Sequence, residues 1–361
     1  MTFDPSKPYN DLPDLPPAYD IETKATLRKA ISANRALAEL KGLGMTLPNQ
    51  SVLIDSLIFQ EARVSSEIEQ IVTTNDALYK AMAMPSDANI DPATKEVIRY
   101  REALWTGFGN LTVRGILTTN DLVKIVNTIR RNESGIRRIA GTVLNNPTND
   151  EIIYTPPNGE DIIRQKLSNL ENYIHAVDNV DPLLKMAVIH YQFEAIHPFH
   201  DGNGRTGRIL NILYLIQQKL LDKPILYLSR YIIENKGEYY RRLRMVTENH
   251  EWEPWILYML DAIEETAAET KNEINDIRTA IESSSVQIRA LYPEVYSKEL
   301  MELLFRRPYT LVQHLVDQGI AKRQTAATYL RKLEKAGILR SMKSGRENIF
   351  INIRLFDLLS R

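Results

Sequence analysis

A chain of 361 residues is long enough for two or three domains, and 43% hydrophobic with 25% charged residues is a globular balance. A formal net charge of −1 gives no chain-wide attraction to nucleic acid or to an anionic membrane, so any such partner needs a local patch. The absence of cysteine excludes disulfides, thiolate catalysis and cysteine metal sites.

The first twenty residues, MTFDPSKPYNDLPDLPPAYD, are acidic and rich in proline. They read as an extended arm with little to bury and lack the basic start and apolar run of a signal peptide. No stretch approaches ~18 uninterrupted apolar residues, so no membrane span is predicted and a cytoplasmic location is expected. Helical patterns follow at Ile21–Leu43 and at 51–70. TTND at 73–76 reads as a stop and a new start. Two further helices are predicted in 94–131, the first ending near GFGN at 107–110. GIRRIAGTVLNN and EIIYTPPNGE, within 135–160, read as two extended segments joined by a turn, a hairpin or flap. Helix returns at 160–174, and again from Asp181 as cap and Pro182 as first residue to about 195. After the loop HPFHDGNG, a helix begins at RTGR; another one or two follow in 227–246, and a long one starts near Pro254. From Pro308 onward the order is helix, turn, helix, turn and two short strands, that of a winged helix-turn-helix.

HPFHDGNGRTGR, residues 197–208, concentrates the chemistry. Glycines let backbone amides approach a ligand, and a helix N-terminus directly after them favours an anion. Arg205 and Arg208, three apart, can grip phosphate oxygens in bidentate fashion. Asp201 beside a phosphate calls for a cation such as Mg²⁺. Neutral His197 can take a proton from a hydroxyl near pH 7. There is no Walker loop and no HExxH. His190, His197 and His200 could be read as a metal cluster, but His190 sits in an apolar helical run and reads as a packed side chain.

The stretch resembles the Fic family signature HxFx[DE]GNGRxxR, matched by His197, Phe199, Asp201, Gly202, Asn203, Gly204, Arg205 and Arg208. The resemblance covers most of the chain. It implies a mainly α fold, a helical Fic bundle with a β-hairpin flap and a small C-terminal winged helix. The expected division is an arm and inhibitory helical region at 1–92, a catalytic core at 93–260, a long linking helix at 261–304 and a winged helix at 305–361. The implied activity is transfer of AMP from ATP to a Ser, Thr or Tyr hydroxyl of a target protein, or of the chain itself. His197 is then the general base and Asp201 the Mg²⁺ ligand. Gly202, Asn203, Gly204 and Arg205 hold phosphates, and Arg208 holds the γ-phosphate. Thr206 and Gly207 complete the cradle, with a plain turn role as the other reading of Thr206. Phe199 is structural. The flap, 136–157, would bind a target by strand addition. Tyr240, before Tyr239, is the candidate for covering the base, although tyrosine in a helix is often core. Relatives often carry asparagine seven residues beyond the second tyrosine; here Thr247 stands there.

SSEIE at 65–69 resembles the family's inhibitory motif [ST]xxxE[GN], with Ser65 and Glu69 matching and Gln70 departing from it. Without that context the segment reads as a solvated helix face. With it, Glu69 is expected to pair with Arg208 and hold it away from the γ-phosphate within the same chain. Residues 305–355 hold eleven Lys or Arg against three acids. DNA contact through 322–346 (Lys322, Arg323, Thr325, Thr328, Lys343 and Arg346) stands beside protein contact or homodimerisation as a reading. Two other activities stay open: a DNA-binding regulator that senses a nucleotide, and transfer of a different nucleotide or of phosphate.

Overall fold

A computed structural model describes residues 3–46, 50–84, 90–133, 135–139, 141–145, 150–344 and 347–360. The first half is helical: α1 (Lys24–Thr46), α2 (Gln50–Ile68), α3 (Asn75–Ala83), α4 (Pro92–Arg114) and α5 (Thr119–Arg130). The starts have chemical causes. Thr74, Asp91 and Asp181 each accept a backbone N–H of the first turn, and Pro92 and Pro182 open their helices where no N–H is needed. The predicted break at 107–110 does not occur, and α4 runs through both glycines. Gly107 is there for packing: a Cβ on it would lie 2.6 Å from Leu213 Cδ1. The helix stops at Gly115, whose φ is 74°.

Two short antiparallel strands, β1 (Leu144–Asn145) and β2 (Ile152–Tyr154), form the flap. Helices α6 (Glu160–His175), α7 (Pro182–Ile196), α8 (Asn203–Gln217), α9 (Leu228–Glu234) and α10 (Lys236–Asn249) follow. In α7 thirteen residues are buried, which makes it the central helix of the bundle, packed against α6, α8 and α11 (Trp252–Leu291). Helix α11 is 40 residues long and passes through position 260 without a break, with α1 packed along it.

The N-terminal arm is extended, but it buries more than its composition implies. Leu12 and Leu15 are buried, Leu15 N–H donates to Asn169 Oδ1 at 2.8 Å, and Pro13 C=O accepts from Gln192 at 2.9 Å. Isolated apolar residues between prolines carry no periodicity, so this docking is visible only against α6 and α7.

The chain ends with α12 (Lys298–Arg306), β3 (Tyr309–Thr310), α13 (Val312–Asp317), α14 (Arg323–Lys335), β4 (Leu339–Ser344), β5 (Glu347–Asn352) and α15 (Ile353–Leu358). The sheet order β3-β5-β4 is antiparallel, and helix–strand–helix–helix–strand–strand is the winged-helix order. Lys322, Arg323, Thr325, Thr328 and Lys343 are exposed, whereas Arg346 lies outside the described residues. No helix among the described residues is long and apolar enough to cross a membrane.

Candidate active site

His197 ends α7 in the left-handed region, φ 48° and ψ 58°, and its N–H donates to Phe193 C=O at 3.1 Å. That conformation turns the chain sharply out of the helix, and Arg137 holds it there. Arg137 is buried; its Nε donates to His197 C=O at 2.8 Å, its N–H to Pro198 C=O at 2.9 Å, and its Nη2 to Pro157 C=O. One guanidinium thus joins the histidine loop to the base of the flap. Burial, and then the nearby Arg137 charge, lower the His197 pKa to about 4. At pH 7 the ring is neutral and able to accept a proton.

Phe199 is buried beneath the loop, near Phe193. Asn203 braces it: its Oδ1 accepts from Phe199 N–H at 2.9 Å and its Nδ2 donates to Phe199 C=O at 2.8 Å. The Asn203 side chain is thereby committed to the loop, and its backbone N–H remains at the start of α8. Gly202 precedes α8 with φ 83°. Thr206 N–H donates to Gly202 C=O at 3.0 Å, so the free amides of this helix start are those of Gly202, Asn203, Gly204 and Arg205. Thr206 is buried and Gly207 lies one residue further inside the helix, so neither presents an amide to an anion. Helix geometry overrides the motif here, because hydrogen bonding to the preceding turn begins at the fifth residue. Gly207 instead lets α7 come close: a Cβ on it would overlap Glu194 Oε1.

Both arginines are buried and engaged. Arg208 Nη2 donates to Glu69 Oε1 at 2.8 Å and to Ser65 C=O at 2.7 Å, while its Nε donates to Ser65 Oγ at 2.7 Å. Burial works against its charge, yet Glu69 together with Tyr239, Tyr100 and Glu194 outweighs this and the pKa is raised. Arg205 Nε donates to Glu69 Oε2 at 3.1 Å, Nη2 to Asp201 Oδ1 at 3.2 Å, and Nη1 to Glu96. Glu69 therefore spans both guanidinium groups. It approaches α8 so closely that a Cβ on Gly204 would stand 2.5 Å from its Oε1. Glu69 lies in the turn after α2, not on the helix as the spacing from Ser65 implies. Lys236 Nζ holds that turn by donating to Ile68 C=O at 2.6 Å. Gln70, the departure from the motif, has φ 65°, a conformation that glycine and asparagine adopt more easily.

Asp201 is partly exposed and pairs with Arg130 and Arg205. Among the described residues no group of three or more His, Cys, Asp or Glu could hold a metal. A single carboxylate with phosphate and water oxygens still fits Mg²⁺, which keeps several waters. His190 is a core residue: its Nε2 pairs with Tyr239 Oη at 2.8 Å and its Nδ1 with Asn211 Nδ2 at 3.1 Å.

A cavity of about 590 Å³ adjoins Glu69 and the α7 face. The flap side supplies Leu144 and Tyr154, α7 supplies Tyr191 and Glu194, and α10 supplies Tyr240 and Thr247. Thr247 Oγ1 and Tyr191 Oη are 2.9 Å apart, forming a polar pair. Tyr240 is half exposed on the cavity wall, while Tyr239 is buried. Glu194 is the carboxylate that sequence reasoning overlooked. Its Oε1 is buried without a hydrogen bond among the described residues, and burial, then Glu69, push its pKa up to about 7 against the pull of Arg208. Its visible signal was a carboxylate, the sole acidic residue of α7, three residues before His197. Glu96, Arg130 and Arg137 were also missed; their roles depend on contacts from distant parts of the chain.

Three family models match in sequence. They are the Fic/DOC family N-terminal model at 27–109, the Fic/DOC family model at 116–215, and the model for the C-terminal domain of SoFic-like protein adenylyltransferases at 281–355. Protein adenylyltransferase fic-1 of Caenorhabditis elegans is 31% identical over 108 residues, 29% of this chain and 20% of that protein. A probable protein adenylyltransferase of Aquifex aeolicus is 34% identical over 71 residues, 20% of this chain and 22% of its own. The chain thus spans about a fifth of the length of these curated relatives. Among solved structures, a Fic family protein from Desulfovibrio desulfuricans G20 superposes with a TM-score of 0.58 at 19% identity, covering 93% of this chain and 98% of that one. C. elegans fic-1, residues 134–508, gives 0.51 at 19% identity, covering 70% and 75%. With the two Fic/DOC models matching 27–109 and 116–215, and with residues 197–208 inside the second, this chain belongs to the Fic/DOC family and carries a SoFic-like C-terminal domain.

Proposed function

We propose that this chain transfers AMP from ATP to a hydroxyl of a protein, itself among the acceptors. The observation that carries the reading is a neutral His197 leading into a helix start with four free amides, with a cavity large enough for a nucleoside lined by Glu69, the carboxylate that pairs with Arg205 and Arg208 of that helix. The hydroxyl oxygen attacks the α-phosphorus as its proton passes to the His197 ring. The bond from the α-phosphorus to the bridging oxygen breaks, and pyrophosphate leaves. Amides of residues 202–205 stabilise the charge on the phosphates. Asp201 would hold Mg²⁺, which when bound neutralises polyphosphate charge. Tyr240, Leu144 and the Tyr191–Thr247 pair are the surfaces offered to the base.

Glu69 restrains the reaction in this proposal. It occupies Arg208 and Arg205, the two groups meant for phosphate, so the triphosphate must displace a carboxylate held by two buried cations. Homologues named protein adenylyltransferases support AMP as the transferred group. Incubation with Mg²⁺ and either α- or γ-labelled ATP tests the activity. Label should enter protein from α-labelled ATP alone and vanish in His197→Ala. Incorporation from γ-labelled ATP would mean phosphate transfer instead, and stronger labelling by GTP or UTP would move the assignment to another nucleotide.

A second reading concerns the C-terminal domain. Lys322, Arg323, Thr325 and Thr328 are exposed at the start of α14, with Lys343 on the wing strand, which favours contact with a DNA backbone. Affinity for duplex DNA should fall steeply with salt and drop in Lys322→Glu/Arg323→Glu; salt-independent binding or none would remove this reading.

A further inference from the structure

A second cavity, of about 500 Å³, shares no lining residue with the first. It lies between α2, α3, α4 and the ends of α5 and α12. Lys95, Arg99, Arg101, Arg131, Arg306 and Arg307 line it. Only Asp55 and Glu102 oppose them, and each already has a partner: Arg101 Nη2 is 2.6 Å from Asp55 Oδ1, and Arg131 Nη2 is 2.8 Å from Glu102 Oε2. Lys95, Arg99 and Arg307 form no ion pair among the described residues. Nε of Arg101 and Nε of Arg306 are buried without a hydrogen bond. Burial and the like charges of Arg306 and Arg101 lower the Arg307 pKa, although Asp55 opposes this. Six cations against two carboxylates is a local excess of four, in a chain whose net charge is −1. Like charges crowded in a cleft repel one another unless an anion compensates them. Guanidinium forks match phosphate oxygens in shape as well as charge. The cleft is apolar in part: Phe59, itself buried, lies 4.8 Å beneath Arg101, and Ile98 lines the cleft from α4.

We infer that this arginine-lined cleft is a second anion site that binds a polyphosphate, free or carried on a nucleotide. The six cations supply its recognition, and the half-buried Ile98 is the apolar surface a nucleoside would rest on. The site stands apart from the His197 loop and does not depend on the proposed transfer reaction.

Calorimetric titration of the full chain with sodium pyrophosphate, and separately with ADP, both without Mg²⁺, tests it. The parent should bind, and Arg99→Gln/Arg131→Gln should weaken binding at least tenfold while its thermal melt stays cooperative. Lys298→Gln, which removes an exposed cation outside the cleft, should leave this affinity within twofold. If the double variant does not fold, Lys95→Gln with Arg99→Gln serves the same comparison. ADP binding tenfold tighter than pyrophosphate marks a nucleotide as the ligand, and equal affinities mark free polyphosphate. No binding by the parent, unchanged affinity in the folded arginine variants, or an equal loss of affinity in Lys298→Gln would overturn the inference.

Discussion

Replacing Glu69 by glycine is the most informative perturbation. Glu69 donates no packing of note but accepts from Arg208 at 2.8 Å and from Arg205 at 3.1 Å, and those side chains are 2% and 1% exposed. A hydrogen bond to a charged group contributes about 1.5–3 kcal/mol, and breaking a buried ion pair costs about 3–5 kcal/mol. Glu69 is itself 23% exposed, so solvent screening argues for the lower end, about 3 kcal/mol. If a triphosphate must displace Glu69, that energy suppresses productive binding about 100-fold, since 1.4 kcal/mol is a factor of ten. Glu69→Gly should therefore raise initial labelling from α-labelled ATP by about 10- to 100-fold. The folded state should meanwhile lose only part of the pair's energy, because Arg208 keeps both Ser65 contacts and Arg205 keeps Glu96 and Asp201. The assay compares the parent, Glu69→Gly, His197→Ala and the double variant, with thermal melts run alongside. A folded Glu69→Gly protein that labels no faster than the parent refutes the brake. Rapid labelling by the double variant refutes His197 as the base.

Four further outcomes follow from contacts already described. With His197 at about 4, below the ordinary 6.5, the ring stays neutral well into acid, so the labelling rate of Glu69→Gly should hold from pH 7 to about 5.5; a midpoint near 6.5 would contradict this. His190 is lowered to about 3 by burial, so the unfolded chain takes up its proton first as the pH drops. The stability it contributes is complete above 6.5 and is lost as pH falls from there toward 3, an effect on the order of several kcal/mol; a His190→Gln protein should show a flatter melting-temperature profile over that range. Arg137→Ala should cut labelling at least tenfold by freeing the His197 carbonyl and the flap base together, with faster hydrogen exchange at Ile196 and His197; unchanged exchange would show that the loop holds itself. Gln70→Asn should raise stability by about 0.5 kcal/mol by relieving a left-handed backbone, and a melt unchanged or lower would speak against strain at that turn.

The sequence by itself determined the helices with chemical starts and stops, because caps, N-terminal prolines and apolar spacing act within a few residues. Thr74, Asp91 and Asp181 behave as their local patterns require. The motif at 197–208 was equally legible, since glycines before a helix dictate an anion-facing backbone whatever surrounds them. Local reasoning failed where the deciding partner is distant in sequence. The α4 helix continues through Gly107 because Leu213 fills the space a side chain would occupy. The proline-rich arm is ordered because Asn169 and Gln192 wait for it on α6 and α7. Which amides of α8 remain free, and that Asn203 serves Phe199 instead of a ligand, follow from hydrogen bonds made only once the loop closes. The tertiary structure alone brought Glu69 and Glu96 to Arg205, because electrostatic neighbours distant in the chain are set by packing and leave no periodic trace in the sequence.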